Sequence, residues 1–427
     1  MTLSWLQIFR LGLVQCCLGA IVVLTTSTLN RLMVIELALP AVLPGMLVAL
    51  HYGIQLSRPN WGFKSDTGGS RTRWIIGGMA ILGAGGFGAA CGVVLLETAF
   101  AAGLALSILS YAAIGLGVGA SGTSLLALLA TATAPHRRAA AATITWLMMI
   151  FGIAMTAGIV GAMLHPYSPG LLIRVVAIVC IIALALTTLA VWGVERRVTA
   201  VREPETLPFR EGLAALWAEP RARNFTIFVF LSMTAYFMQE LILEPYAGLV
   251  FGLTPGQSTQ LSGMQNGGVF MGMLLVGIAA TGFKFGSLRN WVIAGCLGSC
   301  AALCASATVG AMHIAALLNP TVIALGFFNG MFAVAAIGSM MALAGQGKER
   351  REGTRMGLWG AAQAVAAGFG GLMGAGLVDL FRLAALPDAQ AFGTVFLIEA
   401  AIFIAAALMA ARIMTRTAPT PIAVPGE

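Results

Sequence analysis

The sequence predicts an all-α integral membrane protein of twelve transmembrane helices in two six-helix halves. Three observations carry this reading. Hydrophobic residues make up 59% of the chain and charged residues only 9%, with 53 glycines and a mean hydropathy of +0.92. A soluble domain carries about 25% charged residues because its surface faces water; this surface must face lipid. The apolar sequence falls into runs of about 20 residues, the length that crosses a bilayer. A single long polar stretch, 195–223, divides the chain near its middle, with Arg196, Arg197, Arg202, Arg210, Arg221 and Arg223 among five glutamates and three prolines.

Six spans precede that stretch, at 11–29, 40–57, 74–96, 100–131, 140–164 and 172–194. Six follow it, at 224–243, 259–281, 291–310, 321–344, 355–381 and 389–411. The domain reading is therefore an N-terminal half over 1–194, a connector over 195–223 and a C-terminal half over 224–427. The first apolar segment runs on into further spans without a small-residue cleavage site, so no signal peptide is expected. A net charge of +8 would suit a nucleic-acid surface, but the cations sit in short connectors between apolar runs. All 24 Lys and Arg except Arg31, Arg174 and Arg382 fall in the termini and the even-numbered loops. The positive-inside rule places those segments, and both termini, in the cytoplasm. No nucleic-acid partner is expected; the bilayer is.

The halves repeat each other. The second loop reads GFKSDTGGSRTRW from Gly62 to Trp74, and its counterpart reads GFKFGSLRNW from Gly282 to Trp291. The fourth loops correspond as PHRRAAA (135–141) and GKERREGTR (347–355). Parallel six-helix repeats joined by a long cytoplasmic loop resemble the major facilitator superfamily. The spacing of Gly62, Asp66, Gly69 and Arg71 resembles that superfamily's signature between helices 2 and 3. There the glycines let helix ends approach, and the Asp–Arg charges latch the cytoplasmic gate. The second copy lacks the aspartate, which argues against a symmetric double latch.

A narrower resemblance lies in LGLVQCCLGAIVVLTTSTLNRLMVIELALPAVLPGMLVALHYGIQ (11–55), in WGFKSDTGG followed by RTRWIIGGMA, and in FMQELILEPYAGLVFGLTPGQSTQL (237–261). These stretches are similar to the PucC/LhaA, or bacteriochlorophyll delivery, family of phototrophic bacteria, and the similarity runs over nearly the whole chain. It implies a bacteriochlorophyll-handling factor of the bacterial inner (intracytoplasmic) membrane. Such a factor assembles light-harvesting complexes or serves late pigment synthesis, with antenna subunits or late biosynthetic enzymes as partners and bacteriochlorophyll as cargo. Composition and spacing alone stop at a twelve-helix carrier-like protein, so secondary transport of a small molecule stays as the alternative.

Ionisable side chains within a membrane are costly and so mark candidate sites. His51 lies about 16 Å below Pro40 at 1.5 Å per residue, where a neutral imidazole suits a chlorin magnesium and would otherwise hydrogen-bond a neighbouring helix. Glu240 and Glu244, one turn apart on helix 7, share a face, and Pro245 breaks or kinks that helix. Carbonyls freed there, beside two carboxylates, offer a place for a cation, a pigment magnesium or Arg31; a structural ion pair at the seam is the other reading. Arg31 and Glu36 bracket the first outer turn and are expected to pair. Glu399 lies about 20 Å from Arg412 along its helix, near the midplane, either hydrogen-bonded when protonated or facing a central cavity. Asp379 stands three residues from Arg382 and offers a pair with it. His136, His165 and His313 fall in loops or at span ends.

Cys296, Cys300 and Cys304 share a helix face and read as packing residues, and no metal is expected beyond the pigment's own at His51. Gly88/Gly92, Gly115/Gly119 and Gly370/Gly374 are close-crossing motifs, inside the fold or as docking faces. Only three aspartates occur, Asp66, Asp379 and Asp388, with no phosphate loop and no dinucleotide fingerprint. The chain is therefore expected not to be an enzyme: prenyl transfer or reduction by it alone is rejected, though support of an enzyme that does so stays open.

Overall fold

A computed structural model describes residues 3–58, 61, 70–134, 138–195, 217–282, 285–344 and 352–414. Among them eleven helical spans are long and apolar enough to cross a membrane, and a shorter apolar helix, Val42–Ser57, completes the set of twelve. In order the N-terminal half holds α1 (Trp5–Glu36), α2 (Val42–Ile54, extended by a 3-10 turn Gln55–Ser57), α3 (Arg71–Thr98), α4 (Phe100–Ala132), α5 (Arg138–Met163) and α6 (Pro169–Val191). The C-terminal half holds α7 (Pro220–Met238), α8 (Leu243–Phe251), α9 (Pro255–Gly277), α10 (Leu288–Ala311), α11 (Ala315–Ala344), α12 (Glu352–Leu383) and α13 (Asp388–Ile413). Helices α7 and α8 are one broken span. The protein is a multi-pass, all-α membrane protein.

Two large apolar cores fill the two halves, one around Leu11, Leu82 and Ile114, the other around Phe228, Phe332 and Phe403. They meet along two seams, α2 against α12 and α5 against α9. The second seam is a backbone-to-backbone crossing. A Cβ placed on Gly161 would lie 2.7 Å from the Gly256 carbonyl oxygen, and one on Gly263 would lie 2.8 Å from the Gly158 nitrogen. Only glycine lets the two halves come this close. Gly370 and Gly374, offered by the sequence as a docking face, have a different role. Their absent side chains make room for the Thr234 and Met238 carbonyls of α7, each of which would lie 2.5 Å from a Cβ placed on the glycine. That face is consumed inside the C-terminal half.

The break in span 7 follows from Pro245. An α-helical residue at 245 would donate its N–H to the Leu241 carbonyl, four residues back. Proline has no N–H and its ring crowds that carbonyl, so the turn over 239–242 opens. Pro245 itself then sits in the first turn of α8, where no helical partner is needed. The freed Leu241 carbonyl accepts instead from Asn30 Nδ2 of α1 at 2.6 Å. The sequence reading assigned freed carbonyls here to a cation, a magnesium or Arg31; an asparagine from the other half takes this one.

Helix α1 is itself irregular, with π-turns over Leu24–Thr28 and Leu32–Glu36. The first turn is a run of hydroxyl residues. Thr25 and Thr26 donate back to the Val22 carbonyl, and the Thr25 carbonyl accepts from Tyr111 Oη at 2.9 Å. Such widened turns re-aim side chains within a helix, and here Thr26 and Ser27 face the space between the halves.

Candidate functional site

Between the halves lies a cavity of about 270 Å³, bounded by α1, α2, α4 and α5 on one side and by α7, α9, α11 and α12 on the other. Its closed end lies toward the α1–α2 turn, where cross-half hydrogen bonds cluster. Ser27 pairs with Ser262 at 3.0 Å and Thr28 with Thr259 at 3.2 Å. Arg31 reaches the Leu253 carbonyl at 2.7 Å. Asp379 accepts from the backbone N–H groups of Ala41 and Val42 at 3.0 and 2.7 Å. Asp379 thus caps the start of α2, whose free N–H groups and positive dipole end suit a carboxylate. The pair with Arg382 offered by its spacing is not formed, and Arg382 bridges to Asp388 at 2.9 Å.

Much of the cavity wall is apolar, from Leu18, Val22, Ile150 and Met233 to Val269 and Ile337. Into this wall converge Gln15, Thr26, His51, Gln55, Arg58, Gln239, Glu240, Gln265, Asn266 and Gln363. Neutral amides supply most of that polarity. The sequence reading weighed only ionisable groups inside spans, so these positions went unmarked; polar residues interrupting apolar runs were the signal that would have found them.

His51 is 2% exposed and borders the cavity. Its Nε2 lies 2.8 Å from Gln55 Nε2, one turn along α2. Arg58 donates to Gln55 Oε1, so the Gln55 amide nitrogen is the donor toward the ring. Nε2 of His51 is therefore the acceptor and Nδ1 carries the proton, with no partner among the described residues. The lone pair that the sequence offered to a magnesium is held by Gln55. A ligating His51 requires Gln55 to turn away.

Glu240 and Glu244 do not share a helix face, because the break separates them. Glu240 lines the deep end of the cavity beside the Thr26 hydroxyl. Glu244, 1% exposed, lies behind the closed end, where Oε2 accepts from Ser258 and Thr259 at 3.5 and 3.4 Å. The Arg31 charge lies within electrostatic reach of it. Arg31 also bonds Glu36 at 2.7 Å, and it joins α1, α8 and the α8–α9 turn. Glu399 is fully buried in the C-terminal core and does not border the cavity; neither of its oxygens has a partner among the described residues.

Of the proposed gate residues, Gly62, Asp66 and Gly69 lie outside the described residues. Arg71 is buried at the start of α3, with its backbone N–H on Glu195 Oε1 at 2.9 Å and Nη1 directed at the Ala127 carbonyl. Glu195 also accepts from the Ser70 hydroxyl and from the Thr72 N–H and hydroxyl at 2.8–3.0 Å. Partial burial pushes its carboxyl up, but these bonds to the charged form outweigh burial and hold it below the usual carboxylate range.

Comparison with known proteins places this geometry. A family model described as PUCC protein matches residues 28–418. A Rhodobacter capsulatus protein named bacteriochlorophyll synthase 44.5 kDa chain is 66% identical, over 100% of both chains. Protein PucC of Rhodobacter capsulatus is 30% identical over 96% of this chain and 92% of its own. Among solved structures, a D-xylose–proton symporter superposes with a TM-score of 0.72 at 16% identity, covering 96% of each chain. The fold is that of the major facilitator superfamily. The expectation that the chain is no enzyme is corrected by the first of these relatives, whose name makes it a chain of a synthase. That expectation rested on missing aspartate pairs and phosphate loops, which bear on a complete active site in one chain and not on a subunit of a larger enzyme.

Proposed function

The chain belongs to the PUCC protein family, and on that premise we propose that it handles bacteriochlorophyll or its immediate precursor for the photosynthetic membrane. It works there with the enzyme that completes the pigment or with the light-harvesting subunits that receive it. The observation that carries this is the 66% identity, end to end, to a protein named as a bacteriochlorophyll synthase chain. The similarity to proteins named PucC points the same way. The extended apolar part of the wall, from Leu18 and Val22 to Val269 and Ile337, suits a ring that is mostly hydrocarbon. In this reading the halves over 1–194 and 224–427 rock about the seams, and the connector and both termini face the cytoplasm of a bacterial inner membrane. His51 and Glu240 are the pigment-facing groups of the cavity; Glu244 belongs to its closed end and Glu399 to the core.

A second reading, secondary transport of a small polar molecule, is favoured by one observation. The amides of Gln15, Gln265, Asn266 and Gln363 converge on a central cavity closed at one end, as a solute site would require. Deleting the gene from its own phototrophic host separates the two. Pigment handling predicts that bacteriochlorophyll and antenna complexes fall together while other membrane proteins persist. Complementation with the wild type restores both, and complementation with His51→Phe restores less pigment than the wild type if the ring ligates. Normal antenna and normal pigment in the deletion strain would leave the transport reading in front.

A further inference from the structure

Among the described residues one permanent cation, Arg58, lines the cavity, and the pigment reading does not account for it. Arg58 follows the last turn of α2 and borders the cavity beside His51, Tyr52 and Gln55. Its one hydrogen-bond partner among the described residues is the neutral Gln55 side chain, and its Nε is shut off from solvent without a partner. No carboxylate of the described residues pairs with it. The cavity's own acid, Glu240, lies against Thr26, and Tyr52 is within electrostatic reach of both Glu240 and Arg58. A guanidinium withdrawn from water and left with one neutral bond costs free energy that an arriving anion recovers. Its planar fork favours a carboxylate, bound through two parallel N–H donors.

Beyond Arg58 the wall turns apolar and aromatic. Tyr52 packs on Phe237 with ring centroids 5.9 Å apart, and Phe237 on Tyr236 at 5.1 Å. Val22, Ile150 and Met233 extend the same wall. The cavity's volume of about 270 Å³ corresponds to roughly nine waters at about 30 Å³ each. That is far more room than a simple anion needs.

We infer that the cavity selects an apolar ring compound carrying a free carboxylate, with the carboxylate on Arg58 and the ring against the Tyr236–Phe237–Tyr52 wall. This rests on the pigment reading and sharpens it: the cargo taken up is the unesterified chlorin acid, and the esterified pigment binds without the Arg58 contact. The reaction that consumes such a cargo is one that esterifies the acid, which removes the charge Arg58 holds and weakens the product's grip on the site.

The test uses the full chain purified in detergent at neutral pH, where a carboxylic acid is ionised. The probes are pheophorbide a and its methyl ester, which differ only in whether that carboxyl is free or methylated and carry no magnesium to report on His51. Binding is followed by quenching of tryptophan emission and by the ring's absorption. The expected result is about 10-fold tighter binding of the acid than of the ester. Arg58→Gln should abolish that preference by weakening the acid alone, whereas Arg58→Lys should keep part of it. Unchanged ester binding by Arg58→Gln shows that the variant is folded. Equal binding of acid and ester by the wild type overturns the carboxylate site while leaving pigment handling intact. Binding of neither ring overturns both.

Discussion

Glu195 is the residue whose surroundings depart most from what a polar connector would suggest. In sequence it opens a long charged run; in the structure it is the N-terminal cap of α3, more than a hundred residues away, holding Ser70, Arg71 and Thr72 together. Loss of a cap of this kind costs about 1 kcal/mol. Its carboxyl is depressed in the fold, so its contribution is present in full above the unfolded value of about 4.3 and disappears as pH falls through the lower folded value. Glu195→Gln is therefore expected to lower the thermal midpoint at neutral pH, and the gap to the wild type should close in acid. A gap unchanged between pH 7 and pH 3 would show that the charge is irrelevant there. His51 illustrates the opposite case. Its depth and burial were legible from its position in an apolar run, but its acceptor role was not. That role depends on which way the Gln55 amide points, and Arg58 decides it.

At the scale of elements, most spans were readable to within a few residues from the turns and cations that flank them, but α1 runs Trp5–Glu36 against an expected 11–29, and α11 starts at Ala315 against an expected 321. Span 7 is the instructive exception. Pro245 announced a break, but sequence could not show what satisfies the freed carbonyl, because the donor stands 211 residues away on α1. Asn30 and Pro245 are thus two halves of one arrangement, and their coupling is measurable. Asn30→Leu strands the buried Leu241 carbonyl and is expected to cost about 1–3 kcal/mol, read as a lower thermal midpoint in detergent. Pro245→Ala supplies an N–H that can reach that same carbonyl within a continuous helix. The double variant should accordingly recover part of the loss, a non-additivity that neighbouring sites show. Strict additivity of the two changes would mean that the break has another cause.

At the scale of the molecule, the contacts at one end of the bundle decide which segments lie together. Leu3 N–H bonds the Ala132 carbonyl at the end of α4, and Arg10 bonds the carbonyls of Leu189 and Trp192 at the end of α6. Glu195 then ties the same end to the start of α3. The N-terminus, the end of α4, the end of α6 and the start of α3 therefore share one end, and nearly all the Lys and Arg of the sequence fall in the termini and in the segments that join those helix ends. Of the few cations at the far end, two are paired with carboxylates, Arg31 with Glu36 and Arg382 with Asp388, while Arg174 is exposed and donates to the Gly170 carbonyl of its own helix. A surplus of Lys and Arg on one side is what orients a multi-pass protein, with the richer side toward the cytoplasm, and this sequence is therefore expected to keep its connector there. Replacing the seven native cysteines and placing one at a time at Arg210 and at His165 tests this directly. A membrane-impermeant maleimide should label His165→Cys in intact cells, because His165 is exposed in the α5–α6 turn at the opposite end. It should reach Arg210→Cys only after the membrane is opened. Labelling of Arg210→Cys from outside would invert the orientation and would place the connector on the outer face.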